Sequence, residues 1–345
     1  MPEPESVLVA LSGGVDSAVA AWRLLEAGRR VEGFHLRLAD TPAARASREA
    51  ARAVAARLGI PLHESDLTER FAREVIDPFV AAYRSGRTPN PCVLCNPRIK
   101  VAAGLEAADR LGLGAFATGH YARVERREGV SRLLEGRDRA KDQSYFLHAV
   151  APGALPRLCL PLGDLAKTEV RALARRAGLA RYTAPESQEI CFLRGDYRDF
   201  LRERVPDIAR PGPVVDVRGR VLGRHDGLYR FTVGQRRGIG LPDATPYYVV
   251  RLEPAAHRLV VGKAEDLLCR ELTARGVNWL APPRPGAPAR VRIRSRHGGL
   301  PARLHPEAGG RVRVRFLAPA RAVTPGQFAV FYEDDMVLGG GEICG

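Results

Sequence analysis

Two cysteines stand two residues apart in TPNPCVLCNPRIK, residues 88–100. A Cys-x-x-Cys pair can ligate a metal, cycle between dithiol and disulfide, present one working thiol, or pack inertly. The chain holds six cysteines, at 92, 95, 159, 191, 269 and 344, with no framework spacing. In such a chain the close pair reads as metal-binding, redox or catalytic. Cys159, Cys269 and Cys344 read as small hydrophobes. Cys191, between Ile190 and Phe192, taken alone reads as buried.

The second chemical stretch is ALSGGVDSAVA, from Ala10. It follows a strand-like run and opens a helix-like one. It is not a Walker A loop, because no Gly-Lys-Ser/Thr ends it. Gly13 and Gly14 permit a tight turn and close approach of an anion. Helix-start amides and the helix dipole favour negative charge there. Ser12 and Ser17 add hydroxyls. Asp16 repels phosphate, so it orients the loop or helps hold magnesium. The plainer alternative is an ordinary strand–turn–helix with a capping Asp or Ser.

These stretches need elements to hold them. Residues 7–118 alternate short apolar runs with helical patterns: VLVAL, a helix stopped by Gly28, VEGFHLRL, an alanine-rich helix ending at Gly59, then IPLHESDL and further helices. A helix is expected to start near Asn96, and AFATGHYARV reads as a strand. Strict alternation implies an α/β domain with a mostly parallel sheet covered on both faces. From about residue 210, GPVVDVRGRVLG and YYVVRLEPAAHRLVVGK read as hairpins. The proline-rich APPRPGAPA (281–289) precedes ARVRIRSR and RVRVRF. Period two sends Arg292, Arg294 and Arg296 to one face and Val291 and Ile293 to the other, which fits a small β-barrel with a basic side. The expected division is 1–205 for the α/β domain, 206–280 for a central β-rich domain and 281–345 for the barrel.

The 345 residues are 45% apolar and 27% charged, as in ordinary globular chains. No run of eighteen apolar residues appears, and MPEPESVLVALSGG resembles neither a signal nor a transit peptide, so a cytoplasmic location is expected. The net charge is +15, and of 54 basic residues only Lys100, Lys141, Lys167 and Lys263 are lysines. Such an excess favours a polyanionic partner.

The phosphate-loop stretch resembles that of the PP-loop ATP pyrophosphatases. GRTPNPCVLCNPRIK, ATGHYARV, KDQSYFL, ICFL, FTVGQRRGIG and TPGQFAVFY then follow in the order seen in tRNA-specific 2-thiouridylases. The resemblance covers nearly the whole chain. It implies a Rossmann-like catalytic domain, a central β-rich domain and a C-terminal tRNA-binding barrel. It also implies an enzyme that replaces oxygen with sulfur at carbon 2 of the wobble uridine in lysine, glutamate and glutamine tRNAs. ATP, with magnesium, would adenylate the carbonyl oxygen. A cysteine persulfide would then deliver sulfur as AMP leaves.

By motif, Cys95 matches the family's first catalytic cysteine and Cys191 the persulfide carrier, and the two could close a disulfide afterwards. Cys95, just before the expected helix start, would be favoured as a thiolate. Ala10, Leu11, Ser12, Gly13, Gly14, Val15, Asp16 and Ser17 would cradle ATP, with Leu36 and Gly119 beside it. Asn90, Pro91 and Cys92 would line the pocket of a flipped base. His120, Lys141, Asp142, Gln143, Arg294, Ser295 and Gln327 would meet tRNA. The partners implied are a tRNA anticodon stem-loop and a sulfur donor, either a persulfide relay protein or sulfide, with the protein a monomer. Three departures stand out: Cys92 where many members carry Asp, SQEICF for STGICF, and Ser295 for an aromatic. With Cys95 and Cys191, Cys92 makes a third thiol that could ligate a 4Fe–4S cluster.

Overall fold

The computed structural model describes residues 5–182, 190–193 and 195–344. Residues 187–189, the first half of SQEICF with its two departing positions, lie outside them.

The first half alternates as the pattern predicts: β1 Ser6–Ala10, α1 Val15–Glu26, β2 Arg30–Arg37, α2 Pro42–Leu58 and β3 Leu62–Asp66. Local chemistry explains α2. Thr41 caps its first turn by accepting from the Ala44 amide, Pro42 opens it, and Gly59 ends it at φ 67°. Two helical runs follow, each widened by a π turn. α3 Thr68–Phe71 passes into α4 Asp77–Arg84, and α5 Pro91–Cys95 passes through Asn96–Val101 into α6 Ala102–Arg110. Then come β4 Ala115–Ala117, the hairpin β5 Ala122–Arg127 and β6 Val130–Glu135, α7 Ser144–Leu147, β7 Leu158–Cys159, α8 Lys167–Arg176 and α9 Tyr197–Arg204. AFATGHYARV is thus two strands with a loop between them, not one strand.

Five of these strands form a parallel sheet in the order β3-β2-β1-β4-β7. Val7, Leu8 and Val9 of β1 are fully buried, as a strand covered on both faces requires. The chain leaves β1 toward β2 on one side and returns to β4 on the other. The carboxyl ends of β1 and β4 therefore flank the crevice where open α/β sheets place ligands.

The middle domain is a four-stranded sheet, β10-β11-β8-β9, built from β8 Gly212–Val215, β9 Val221–His225, β10 Tyr248–Glu253 and β11 Arg258–Gly262. Both expected hairpins are present and antiparallel. The last domain is a six-stranded barrel. Its strands are β12 Leu268–Trp279, β13 Ala287–Arg292, β14 Leu300–Glu307, β15 Arg311–Arg321, β16 Phe328–Glu333 and β17 Met336–Ile343, closed by pairing of β12 with β17. The boundary expected at 280/281 is corrected: β12 pairs along both β15 and β17, so the proline-rich link lies inside the barrel. The β5–β6 hairpin attaches to the barrel where Leu134 meets Met336, so the two end domains share one sheet.

The arginine face is corrected in part. β13 ends at Arg292, whose side chain is buried; only Arg294 and Arg296, in the following turn, are exposed. In β15 the alternation holds, with Val312, Val314 and Phe316 inside. Among the described residues no helix is long and apolar enough to cross a membrane.

Candidate functional site

The phosphate loop closes on itself. The Ser12 amide donates to Ser17 Oγ at 3.2 Å, Ser17 Oγ donates to the Gly14 carbonyl at 2.9 Å, and Ser47 Oγ donates to the Ser12 carbonyl at 2.5 Å. Gly13 has φ 75°, and a Cβ there would run into the Ser47 carbonyl. No side chain caps α1 at Gly14, which leaves its first amides available to an anion. Gly119, at the end of β4, closes the other side; a Cβ there would sit 2.8 Å from the Asp16 carbonyl carbon and 2.9 Å from the Ser17 nitrogen. Leu36, at the end of β2, is half-buried against the same core. Ala10 to Ser17, Leu36 and Gly119 thus gather at the crevice that the strand order defines.

Asp16 does not stand free. Lys167 Nζ lies 2.7 and 2.8 Å from its two carboxylate oxygens, and the Tyr121 hydroxyl donates to Oδ1 at 2.7 Å. The loop's one carboxylate is already held by protein donors, so it orients the loop and does not fit the part of a magnesium ligand.

Past His120 the fold opens into a cleft of about 1130 Å³ between the catalytic domain and the barrel. Cys92, Asn96, Lys100 and His120 line one side, the segment from Arg139 to Gln143 another, and Arg290, Arg292 and the Ser295–Gly298 turn the barrel side. His120 is buried, shares a 2.7 Å hydrogen bond with Thr118 Oγ1, and is held neutral at a pKa of about 3 by burial and by Lys100.

The thiols converge beside this cleft. The helix starts at Pro91, not near Asn96, because proline is pre-shaped for the first helical position. Cys95 therefore lies a full turn inside the helix, and Cys92 takes the first-turn place. Cys95 is buried, and burial pushes its thiol up to about 12, against the lowering effect of Lys100. The expectation of a Cys95 thiolate at a helix start is thus overturned: at rest it is a neutral thiol. Cys191 is exposed, against the plain reading of a buried cysteine. Its neighbour Phe192 anchors it, packing edge-on to Phe71 and Phe79 in the cluster that also holds Cys95. Cys92 and Cys191 both reach solvent, yet the surrounding protein partly desolvates their thiols and raises them, and Lys100 opposes both shifts. Burial works to lower the Lys100 ammonium, but negative charge on Cys95, Cys92 or Cys191, when one of them ionises, outweighs it and raises its pKa.

The π turn at Asn96–Val101 explains this meeting. Residues five apart on a regular α-helix point well away from each other. The wider turn brings Lys100 round toward the face of Cys95.

Several expected contacts have other duties. The Asp142 carboxylate is buried and accepts from the Gly136 and Ser144 amides, from Ser144 Oγ, and from Arg292 at 2.6 Å. Arg292 also reaches Glu135, at 3.3 Å, and Glu135 receives Arg290 at 2.6 Å. This network fastens the barrel to the cleft loop. Gln327 donates its amide to the Thr88 carbonyl at 2.8 Å, and the Thr88 amide donates to Pro325. The TPGQ turn therefore braces the loop leading to Cys92. Pro91 is buried and Asn90 is the helix N-cap; of that trio only Cys92 lines the cleft. Lys141, Gln143 and Ser295 line it, whereas exposed Arg294 does not.

Sequence reasoning passed over Lys100, Lys167 and Tyr121. A signal was present. In a chain that uses arginine at 50 of 54 basic positions, each retained lysine marks a place where a guanidinium does not serve. Three of the four lie here: Lys100 by the thiols, Lys141 on the cleft and Lys167 on Asp16.

All six cysteines are free thiols. Among the described residues no three His, Cys, Asp or Glu side chains are arranged to hold a metal ion. Cys92, Cys95 and Cys191 are thus not arranged around a single metal ion, although they act on one another electrostatically.

A parallel-sheet domain with an anion-binding loop at its switch point, joined to two β-domains around a basic, thiol-bearing cleft, defines an α/β nucleotide-handling enzyme class. Residues 5–195 match the family described as tRNA methyl transferase HUP domain, 198–263 its PRC-barrel domain, and 269–343 the aminomethyltransferase β-barrel domain. Full-length relatives give a different activity from that description. The chain is 48% identical to a tRNA-specific 2-thiouridylase of Syntrophotalea carbinolica, covering 98% of each, and 47% identical to that of Moorella thermoacetica, covering 97% of this chain and 98% of the relative. It therefore belongs to the tRNA-specific 2-thiouridylase family, a family of sulfurtransferases. A solved U34-tRNA thiolase from Methanococcus maripaludis, with its [4Fe-4S] cluster, is 15% identical with a TM-score of 0.39 over 60% of this chain and 67% of that one, too slight a likeness to carry an argument.

Proposed function

We propose that the protein thiolates carbon 2 of the wobble uridine of lysine, glutamate and glutamine tRNAs in the cytoplasm, as a monomer using ATP. The observation that carries this reading is the junction at Gly119–His120: Gly119 touches the phosphate loop, and His120 lines the cleft beside Cys92 and Lys100. Nucleotide and thiol chemistry thereby share one wall.

ATP binds with its phosphates on Ala10–Ser17, and magnesium enters as the nucleotide's own counterion. The anticodon loop lies across Lys141, Gln143 and Ser295, with its wobble base turned in beside Cys92, which Asn90 and Pro91 position from the helix start. Unstacking costs less there than in a duplex. The uridine O2 attacks the α-phosphorus, the bond to the β-phosphate oxygen breaks, and pyrophosphate leaves. Adenylation converts a poor leaving group into a good one. Cys191, exposed to an external persulfide donor, carries a persulfide whose outer sulfur bonds to carbon 2 as the C2–O bond breaks and AMP departs. The Cys95 thiol then gives its proton to solvent and attacks the Cys191 sulfur. The S–S bond breaks with its electron pair on the sulfur left at carbon 2, and the Cys95–Cys191 disulfide forms. An external dithiol reopens it. A neutral Cys95 suits this order, since a resting thiol does not discharge the persulfide early.

The test is transfer of labelled sulfur to unmodified tRNA with ATP. Wild-type enzyme is expected to label tRNA and to release AMP and pyrophosphate. Cys191→Ser should stop labelling while pyrophosphate still forms. Labelling by that variant would overturn the scheme.

A further inference from the structure

Lys167 is placed against its own helix. It is the first residue of α8, where the dipole disfavours a cation, and it is only 5% exposed. Its ammonium is held by both oxygens of Asp16, in the first turn of α1, and lies 5.7 Å from the centre of the Tyr121 ring. Tyr121 is the second donor to Asp16. Both partners of Asp16 reach further. The Lys167 amide donates to Asp138 Oδ2 at 3.0 Å. The Tyr121 amide donates to Gln143 Oε1 at 2.9 Å, and the Gln143 amide returns a bond to the Tyr121 carbonyl at 2.8 Å. Asp138 and Gln143 bracket the cleft segment that contains Arg139 and Lys141.

We propose that Lys167 is a positioning residue: the fixed internal cation of the phosphate loop, and the tie through which that loop and the 138–143 cleft segment set each other's position. This rests on the reading that ATP occupies the loop. The electrostatic logic is direct. A bare Asp16 carboxylate would offset the positive end of the helix dipole and repel the phosphates. With Lys167 on it the loop stays favourable to an anion without enlisting magnesium. The tie predicts reciprocity: if tRNA on the cleft segment tightens ATP, ATP tightens tRNA by the same factor.

The test uses full-length enzyme and tRNA-dependent AMP formation at saturating magnesium. Lys167→Met is expected to raise the KM for ATP about tenfold or more, a low-end effect for truncating one member of a largely buried ion pair. Adding Asp16→Asn to it should recover part of that loss, because the stranded carboxylate is gone, whereas a merely structural role for Lys167 would leave the second change additive. The KM for ATP at saturating against limiting tRNA should differ in wild type, and the two values should converge in Lys167→Met. A wild-type KM in Lys167→Met, a double variant worse than the sum, or an Asp16→Asn variant whose only defect is a raised magnesium requirement would overturn the proposal. If wild-type enzyme forms no AMP from ATP, the reading in the preceding subsection fails instead.

Discussion

The phosphate loop and the thiol cleft sit on one wall and are built on opposite plans. In the loop every strong charge is answered: Asp16 has Lys167 and Tyr121, the serines bond within the turn, and Gly13 and Gly119 admit no added atom. In the cleft the balance is unfinished. Lys100 faces three raised thiols rather than a carboxylate, and buried Asn96 leaves its Oδ1 without a partner. An unpaired buried acceptor costs about 1–3 kcal/mol. The difference separates a surface set before its ligand arrives from one whose charge is completed by what binds.

The largest test of this contrast is to break each half alone. Gly13→Ala forces a side chain into a left-handed turn against Ser47 and should abolish both AMP formation and thiolation. Cys95→Ser should cut thiolation by about a thousandfold or more, as loss of a covalent participant does, while leaving pyrophosphate release nearly intact. Loss of both activities in Cys95→Ser, measured by labelled pyrophosphate and by tRNA sulfur content, would dissolve the separation.

Next in size is the clamp behind the cleft. Arg292→Met takes the guanidinium from buried Asp142, while Glu135 keeps Arg290, and removal of one member of such a buried network costs about 3–5 kcal/mol. Urea denaturation should show that loss, and binding of tRNA should weaken with it. ATP binding to the folded variant without tRNA should weaken much less than tRNA binding, because the phosphate loop has its own cation and feels the cleft segment only through the Lys167 and Tyr121 tie.

A smaller effect is expected at Lys100. Desolvation by the surrounding protein raises the three thiols, of which only Cys95 is buried, and Lys100 opposes it, so Lys100→Met should raise them further. A thiol reacts as the thiolate, which forms as pH rises toward its pKa. Alkylation of Cys191 should therefore climb through the alkaline range in wild type and shift to higher pH in the variant. At fixed pH it should run about tenfold slower, the effect of one pKa unit. Identical pH profiles would show that Lys100 does not act on the thiols.

Much of the loop was legible in the sequence and less of the cleft. SGGVDS after an apolar run carries its own geometry, since glycine, helix start and strand end are neighbours in the chain. The cleft is assembled from residues 92–100, 120, 139–143 and 290–298, with Cys191 beside it, and no local pattern announces such a meeting. Asp142 shows the limit. It sits in a motif that implies a contact with tRNA, yet its oxygens are spent on Gly136, Ser144 and Arg292. Cys95 shows another: the π turn and the start at Pro91 moved it from a helix end to a helix interior, and burial then reversed its expected ionisation.

The two arginine strands give the smallest and cleanest test. ARVRIR and RVRVRF alternate alike, yet Arg292 is buried against another domain whereas Arg315 lies on the outer barrel, paired with Glu271 at 2.9 Å with both side chains well exposed. Period two tells which residues share a face, not what that face abuts. An exposed pair contributes about 0.2–1 kcal/mol. Arg315→Ala should therefore lower stability by less than about 1 kcal/mol and leave the KM for ATP, Cys191 alkylation and tRNA affinity at moderate salt unchanged. If tRNA binding fell as far as in Arg292→Met, the outer barrel face would be part of the tRNA surface. The cleft would then no longer be the whole of the region whose charge is completed by substrate.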